Sequence, residues 1–217
     1  GIGPDGPGNA ISLANTPVMD KLLKNFAHTR LKCSGESVGL PPGQMGNSEV
    51  GHLNLGAGRI VYQDIMRINQ AIADGSIRQN QVLNQLFASI KPGGRLHLMG
   101  LLSDGGVHSH QEHLHSLINL AKEKGISQVF IHCFLDGRDT PPASGIIYVQ
   151  RLKNYLQETG VGEIATIIGR YFAMDRDKRW ERIKLAYDAL TLGQGKSARD
   201  PVLAVKEAYA AKETDEF

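Results

Sequence analysis

From Arg95 to Lys212 the apolar positions come in two alternating rhythms. Short apolar runs in Arg95–Leu102, Gln128–Leu135 and Glu163–Gly169 read as strands. Longer stretches over His110–Lys124, Ser144–Glu158, Arg179–Leu192 and Pro201–Lys212 repeat at helical spacing and read as helices. Strands alternating with helices of this length predict βαβ crossovers, so the fold class is α/β with a mainly parallel sheet covered on both faces. Upstream, Thr16-Pro17 predicts a helix start leading into Val18, Leu22 and Leu23. Ile65, Ile68 and Ile72 mark a further helix, and Val82, Leu83 and Leu86 a short one.

This rhythm places the polar residues. Ligands of open α/β sheets bind outside the carboxyl ends of the strands. Those ends are followed here by Ser103-Asp104-Gly105-Gly106-Val107-His108, by Asp136-Gly137-Arg138-Asp139-Thr140, and by Gly169-Arg170 through Arg176. Three successive strand ends therefore deliver His108, Arg138, Asp139, Arg170 and Arg176 to one rim. Guanidinium groups match carboxylate and phosphate oxygens in pairs. Three of them with a histidine suit a small, strongly anionic ligand such as a phosphorylated organic acid. Asp139 could orient Arg138 or accept a hydrogen bond from a substrate hydroxyl. His110, His113 and His115 fall on the predicted amphipathic helix and read as its solvated face, not as a zinc site.

A second segment is compositionally odd. Gly43 to Arg59, GQMGNSEVGHLNLGAGR, is rich in glycine and amide side chains and poor in large apolar residues. One reading is a glycine-rich turn in which Asn47, Ser48 and Glu49 cap a helix. The other makes Ser48 a nucleophile, which needs a base or a metal ion beside it. Composition leaves both open.

The remaining composition changes little. A formal net charge of +2 over 217 residues argues neither for nucleic acid nor for a membrane surface. No apolar run approaches the ~18 residues of a membrane span, and no signal peptide is visible. Cys33 and Cys133 are expected to be buried, reduced thiols of a cytoplasmic protein. Met45, Met66, Met99 and Met174 read as core fillers, and Trp180 as a packed helix-start residue. The chain opens at Gly1 without methionine and stops at Phe217 after an apparent helix, so a piece cut at both ends is expected.

The order of residues goes further than their composition. GLPPGQMGNSEVGHLNLGAGRIVYQ, Gly39 to Gln63, resembles the active-serine segment of the cofactor-independent phosphoglycerate mutases, members of the alkaline-phosphatase-like superfamily. The resemblance continues through GNAISLANTPVMDKL, LLSDGGVHSH, FLDGRDTPP and IIGRYFAMDRDKRW, and so covers essentially the whole chain. It implies that Ser48 takes up a phosphoryl group, ligates one of two divalent ions (manganese, with magnesium or cobalt as alternatives), and returns the group to another hydroxyl. It also implies that His108, Arg138, Asp139, Arg170 and Arg176 hold 3-phosphoglycerate or 2-phosphoglycerate, with Asp139 shuttling the proton and no 2,3-bisphosphoglycerate required. Residues 1–62 are then expected to be the N-terminal piece of a metal-binding phosphatase-like domain. Residues 63–217 are expected to be most of an inserted phosphoglycerate-binding domain, incomplete at its C-terminal end, in a monomeric protein. The family's other metal ligands and a later substrate-binding arginine pair have no counterpart in this chain, so the piece is expected to be inactive by itself. Another metal-dependent phosphatase or phosphomutase of the superfamily, and a non-catalytic phosphoglycerate-binding fragment, are the competing readings.

Overall fold

The computed structural model describes residues 5–217; the opening residues 1–4 lie outside it. Its contacts divide the chain into two compact units, Gly1–Gln63 and Asp64–Phe217.

The first unit carries the short α1 (Ala10–Leu13), α2 (Pro17–Asn25), a 3-10 turn at Gly35–Val38, and α3 (Ser48–Ala57). Pro17 fits the first turn of α2, where its missing N–H costs nothing. Thr16 gives its hydroxyl to the Asp20 carboxylate (3.1 Å) and makes no side-chain bond to the α2 backbone. No residue of α2 is buried. Val38, Leu40 and Val50 form a small cluster, so the glycine-rich segment contributes one residue to packing after all. Gly46 has a steric reason: a Cβ there would collide with the Cys33 carbonyl.

The second unit runs α4 (Asp64–Ala73), a 3-10 turn at Ser76–Gln79, α5 (Gln81–Ser89), β1 (Leu96–Leu101), α6 (Gln111–Glu123), β2 (Val129–Leu135), α7 (Gly145–Thr159), β3 (Glu163–Gly169), α8 (Arg170–Ala173), α9 (Trp180–Leu192) and α10 (Pro201–Ala210). The strands form one parallel sheet in the order β1-β2-β3, as the alternation of elements predicts. Leu96, Leu98, Ile131, Cys133, Leu135, Ile164 and Ile167 point into one core with Ile118 and Ala121 of α6, Val149, Leu152 and Leu156 of α7, and Val202 and Val205 of α10. Asp200 caps α10 by accepting from Val202 N (2.9 Å) and Leu203 N (3.1 Å), and it receives Lys153 Nζ of α7 at 2.5 Å.

Several expectations from residue type are corrected. The sheet is not covered on both faces along β1: His97 and Met99 are exposed, Met99 by 60%. His97 instead stacks on Phe130 and bonds His132 (2.9 Å), whose other ring nitrogen meets Thr166 (2.9 Å). Met45 is also exposed, Trp180 is 70% exposed rather than packed, and of the two thiols only Cys133 is buried. Burial pushes the Cys133 thiol up to about 12, while Cys33 faces solvent. The α6 histidines are not a solvated face. His110 caps the helix, accepting from Glu112 N, and His113 is half-buried against Asn69 (2.6 Å). His115 is buried flat on Tyr155, with ring centroids 3.9 Å apart.

Leu152 is wholly buried where α7 meets the sheet. Leu152→Ala should lower unfolding stability by about 2–5 kcal/mol in urea titration. A loss below ~1 kcal/mol would mean that this core does not hold the second unit together.

Candidate functional site

Asp136 immediately follows β2, and its buried carboxylate organises the strand ends. Its Oδ2 accepts from Ser103 Oγ (2.7 Å), which follows β1. Its Oδ1 accepts from Arg138 N (3.2 Å), Asp139 N (3.0 Å) and Arg170 Nη1 (2.7 Å). Burial alone would push this carboxyl up. The bonds from Ser103, from the Asp139 and Arg138 amides and from Arg170 outweigh it, and the net shift is downward.

Arg170 opens α8 and is buried, which is unusual for arginine unless it is paired. Its Nη1 bridges Asp136 and Asp139 Oδ2 (2.8 Å). His108 Nε2 lies 3.9 Å from the same Asp139 oxygen. Arg138 is half-exposed and forks onto Glu216, with Nε to Oε1 at 2.6 Å and Nη2 to Oε2 at 2.9 Å. That pairing is the main cause of its raised pKa; Asp139 and Asp177 add smaller attractions. Asp177 thus brings the loop that carries Arg176 within electrostatic reach of Arg138, and Arg176 itself is exposed.

The structure therefore brings His108, Arg138, Asp139 and Arg170 together and sets Arg176 on the adjoining loop. It also alters their electrostatics. Arg138 and Arg170 are paired with acids, so the rim is a lattice of held guanidinium groups, not an open cluster of positive charge. Asp136, Ser103 and Glu216 belong to this lattice and are absent from the sequence-based set. Asp136 and Ser103 lie inside the strand-end segments that define the rim, so their position carries a signal. Glu216 is 78 residues from Arg138, and nothing local announces it.

Ser48 lies in the other unit, at the first turn of α3. Asn47, not Ser48, caps that helix, its Oδ1 accepting from Val50 N (3.0 Å). Ser48 is exposed and its hydroxyl is committed to no backbone amide of the helix start. Its Oγ lies 3.1 Å from His52 Nδ1, but that nitrogen is only 2.7 Å from the Ser48 carbonyl oxygen. A carbonyl can only accept, so Nδ1 carries the hydrogen and cannot serve as the serine's base. Among the described residues, no group of three or more His, Cys, Asp or Glu could hold a metal ion. No helix among them is long and apolar enough to cross a membrane.

The second unit is thus a parallel α/β unit whose acid-paired arginines stand at the carboxyl ends of its strands, where ligands of open α/β sheets bind. Residues 68–217 match the family model of the BPG-independent PGAM N-terminus. The chain belongs to the 2,3-bisphosphoglycerate-independent phosphoglycerate mutase family. It is 56% identical to the enzyme of that name from Moorella thermoacetica over 218 residues, covering 100% of this chain and 42% of the relative. The enzyme of that name from Thermomicrobium roseum is 58% identical over 217 residues, covering 100% of this chain and 41% of the relative. A crystal structure of Leishmania mexicana phosphoglycerate mutase, determined at low cobalt concentration, superposes with a TM-score of 0.77 at 35% identity. It is matched over 100% of this chain and 42% of its own. The chain thus spans about two-fifths of the length of these relatives.

The Asp136 lattice gives a pH prediction. A carboxyl whose pKa is lowered by folding adds stability above its unfolded value, near 3.9, and loses it as pH falls through the folded value. Asp136→Asn should cost about 3 kcal/mol at neutral pH, the scale of breaking a buried charge pair. It should also flatten the fall in stability on acidification below about pH 4. Denaturation curves from pH 7 to pH 2.5 test both, and an unchanged acid slope would refute the assignment.

Proposed function

We propose that this chain is the part of a cofactor-independent phosphoglycerate mutase that carries the reactive serine and the phosphoglycerate-binding rim. The first unit corresponds to the N-terminal piece of the phosphatase-like domain. The second corresponds to most of the inserted substrate domain, with the junction near Tyr62 to Asp64. The intact protein interconverts 3-phosphoglycerate and 2-phosphoglycerate in glycolysis and gluconeogenesis, as a cytoplasmic monomer without 2,3-bisphosphoglycerate. The observation that supports this most is the rim itself: two arginines held in fixed orientation by Asp136, Asp139 and Glu216. A general phosphatase needs no such set for the glycerate end of its substrate.

Ser48 Oγ, in its ionised form, attacks phosphorus, the bond to the first glycerate oxygen breaks, and that oxygen takes up the proton held on Asp139. The second hydroxyl then gives up its proton and attacks the phosphoserine, returning Ser48. Arg138, Arg170, Arg176 and His108 bind the anionic glycerate, and Asp139, beside Arg170 and His108, relays the proton between its hydroxyls. His52 turns its Nδ1 to the Ser48 carbonyl, and the likeness to the mutase family points to a divalent ion as the group that would activate Ser48. Manganese is the expected ion, with magnesium or cobalt as alternatives. The described residues do not fit a complete metal site. Ser48 would be one donor, and the others would lie in the length of the relatives that this chain does not span. On this reading the 217-residue chain binds phosphoglycerate without turning it over.

Calorimetry with 3-phosphoglycerate should show binding to the chain and a loss of about tenfold or more in Arg170→Ala, since charge-assisted bidentate contacts are the strong ones. No binding to the wild-type chain would sink the rim assignment, and Mn²⁺-dependent conversion by the purified chain would show that it needs no outside ligands. In a full-length mutase carrying this chain, Ser48→Ala should abolish turnover and leave substrate affinity within about twofold. Surviving turnover would exclude the phosphoserine route.

A further inference from the structure

Residues 214–217 form a strap across the ends of β2 and β3, and the fold makes room for it. Asp215 N donates to Pro142 O (2.9 Å), and the fully buried Asp215 carboxylate receives Ser144 N (3.0 Å), Gly145 N (2.8 Å) and the Tyr209 hydroxyl. This carboxylate closes the N-terminus of α7, where Ser144 itself makes no side-chain cap bond. Tyr171 N donates to Glu216 O (2.8 Å), and the Phe217 ring lies against Tyr171 and Phe172. A Cβ at Gly145 would collide with the Asp215 carboxylate, and one at Gly169 with the Glu216 carbonyl. Gly137, in the left-handed region at φ +76°, leaves only 3.1 Å to Asp215 Cβ. The main chain of Glu216 is therefore fixed on both sides, and its side chain meets Arg138 from a rigid base.

The fork geometry is selective. Glu216 takes the Nε and Nη2 edge of Arg138, leaving the Nη1 edge of a half-exposed guanidinium for a ligand. We infer that Glu216 is a positioning residue for Arg138, fixing one edge of its guanidinium so that the other faces the bound phosphoglycerate. This rests on the reading of Arg138 as a phosphoglycerate ligand. Glu216 touches no substrate; its contribution is the rotamer freedom that Arg138 no longer has to lose on binding.

The sign of one substitution separates positioning from simple electrostatics. Glu216→Gln removes a negative charge near an anionic ligand, so charge alone, or competition of Glu216 for the guanidinium, would make 3-phosphoglycerate bind more tightly. Positioning makes it bind more weakly, by about tenfold for a pair coupled this closely. Calorimetry on the wild-type chain, Arg138→Ala, Glu216→Gln and the double variant reads this directly. Glu216→Gln should add nothing in the Arg138→Ala background, whereas a general structural loss would be additive there. Unchanged or tighter binding in Glu216→Gln, or additive losses, would overturn the inference while Arg138→Ala still weakens binding. Wild-type affinity in Arg138→Ala would overturn the underlying reading instead. Should Glu216→Gln fail to fold, Glu216→Asp keeps the charge but draws it back by one methylene, and the same weakening is expected; unchanged binding there overturns the inference.

Discussion

One buried carboxylate at the end of β2 fixes the geometry of everything around it. Asp136 answers donors from the end of β1, from its own turn and from the start of α8, so three strand ends share a single acceptor. An ionised carboxylate in a buried position is costly unless its lone pairs are matched. Here Oδ1 takes three bonds and Oδ2 one, which stabilises the charge and locks the turn that displays Arg138 and Asp139. Arg170 is held from the other side by the same acid. Remove the carboxylate, and a buried guanidinium loses one of its two acid partners.

The parallel sheet explains why these residues meet at all. Each crossover helix returns the chain to the same end of the sheet, so every strand terminates on the same rim. The core of aliphatic residues from β1, β2, β3, α6, α7 and α10 holds the strands in register. Site chemistry is then a matter of which polar residues follow each strand. Ser103, Asp136 and Arg170 occupy the first or second position after their strands, close enough to a rigid element to be placed accurately.

Much of this was legible in the sequence, because apolar periodicity is local. The expected strands and helices from Arg95 onward fall within a residue or two of their observed bounds, the differences lying at element ends such as the His110 cap of α6 and the C-terminus of α10 at Ala210, while the short α8 was not expected. The rim residues follow from the same pattern, and the structure brings His108, Arg138, Asp139 and Arg170 together. What could not be read was partnership. That Arg138 and Arg170 are neutralised by acids depends on contacts across 78 and 34 residues. Nor does residue type reveal which apolar side chains are covered: Met66 is buried, whereas Met45, Met99 and Trp180 are exposed. His115 was misread in the opposite direction, because a helical histidine can bury its ring on a tyrosine from the next helix.

The strap at residues 214–217 bears on the order of events as the chain leaves the ribosome. Loops closed between distant positions form late, because their entropy must be given up before any contact rewards it. The β1-α6-β2 and β2-α7-β3 crossovers can assemble from neighbours in sequence. The α7 cap and the Arg138 fork cannot, since both wait for Asp215 and Glu216. A nascent chain can thus hold a formed sheet while Arg138 still lacks its fork, until residues 214–217 have emerged and folded back across the strand ends.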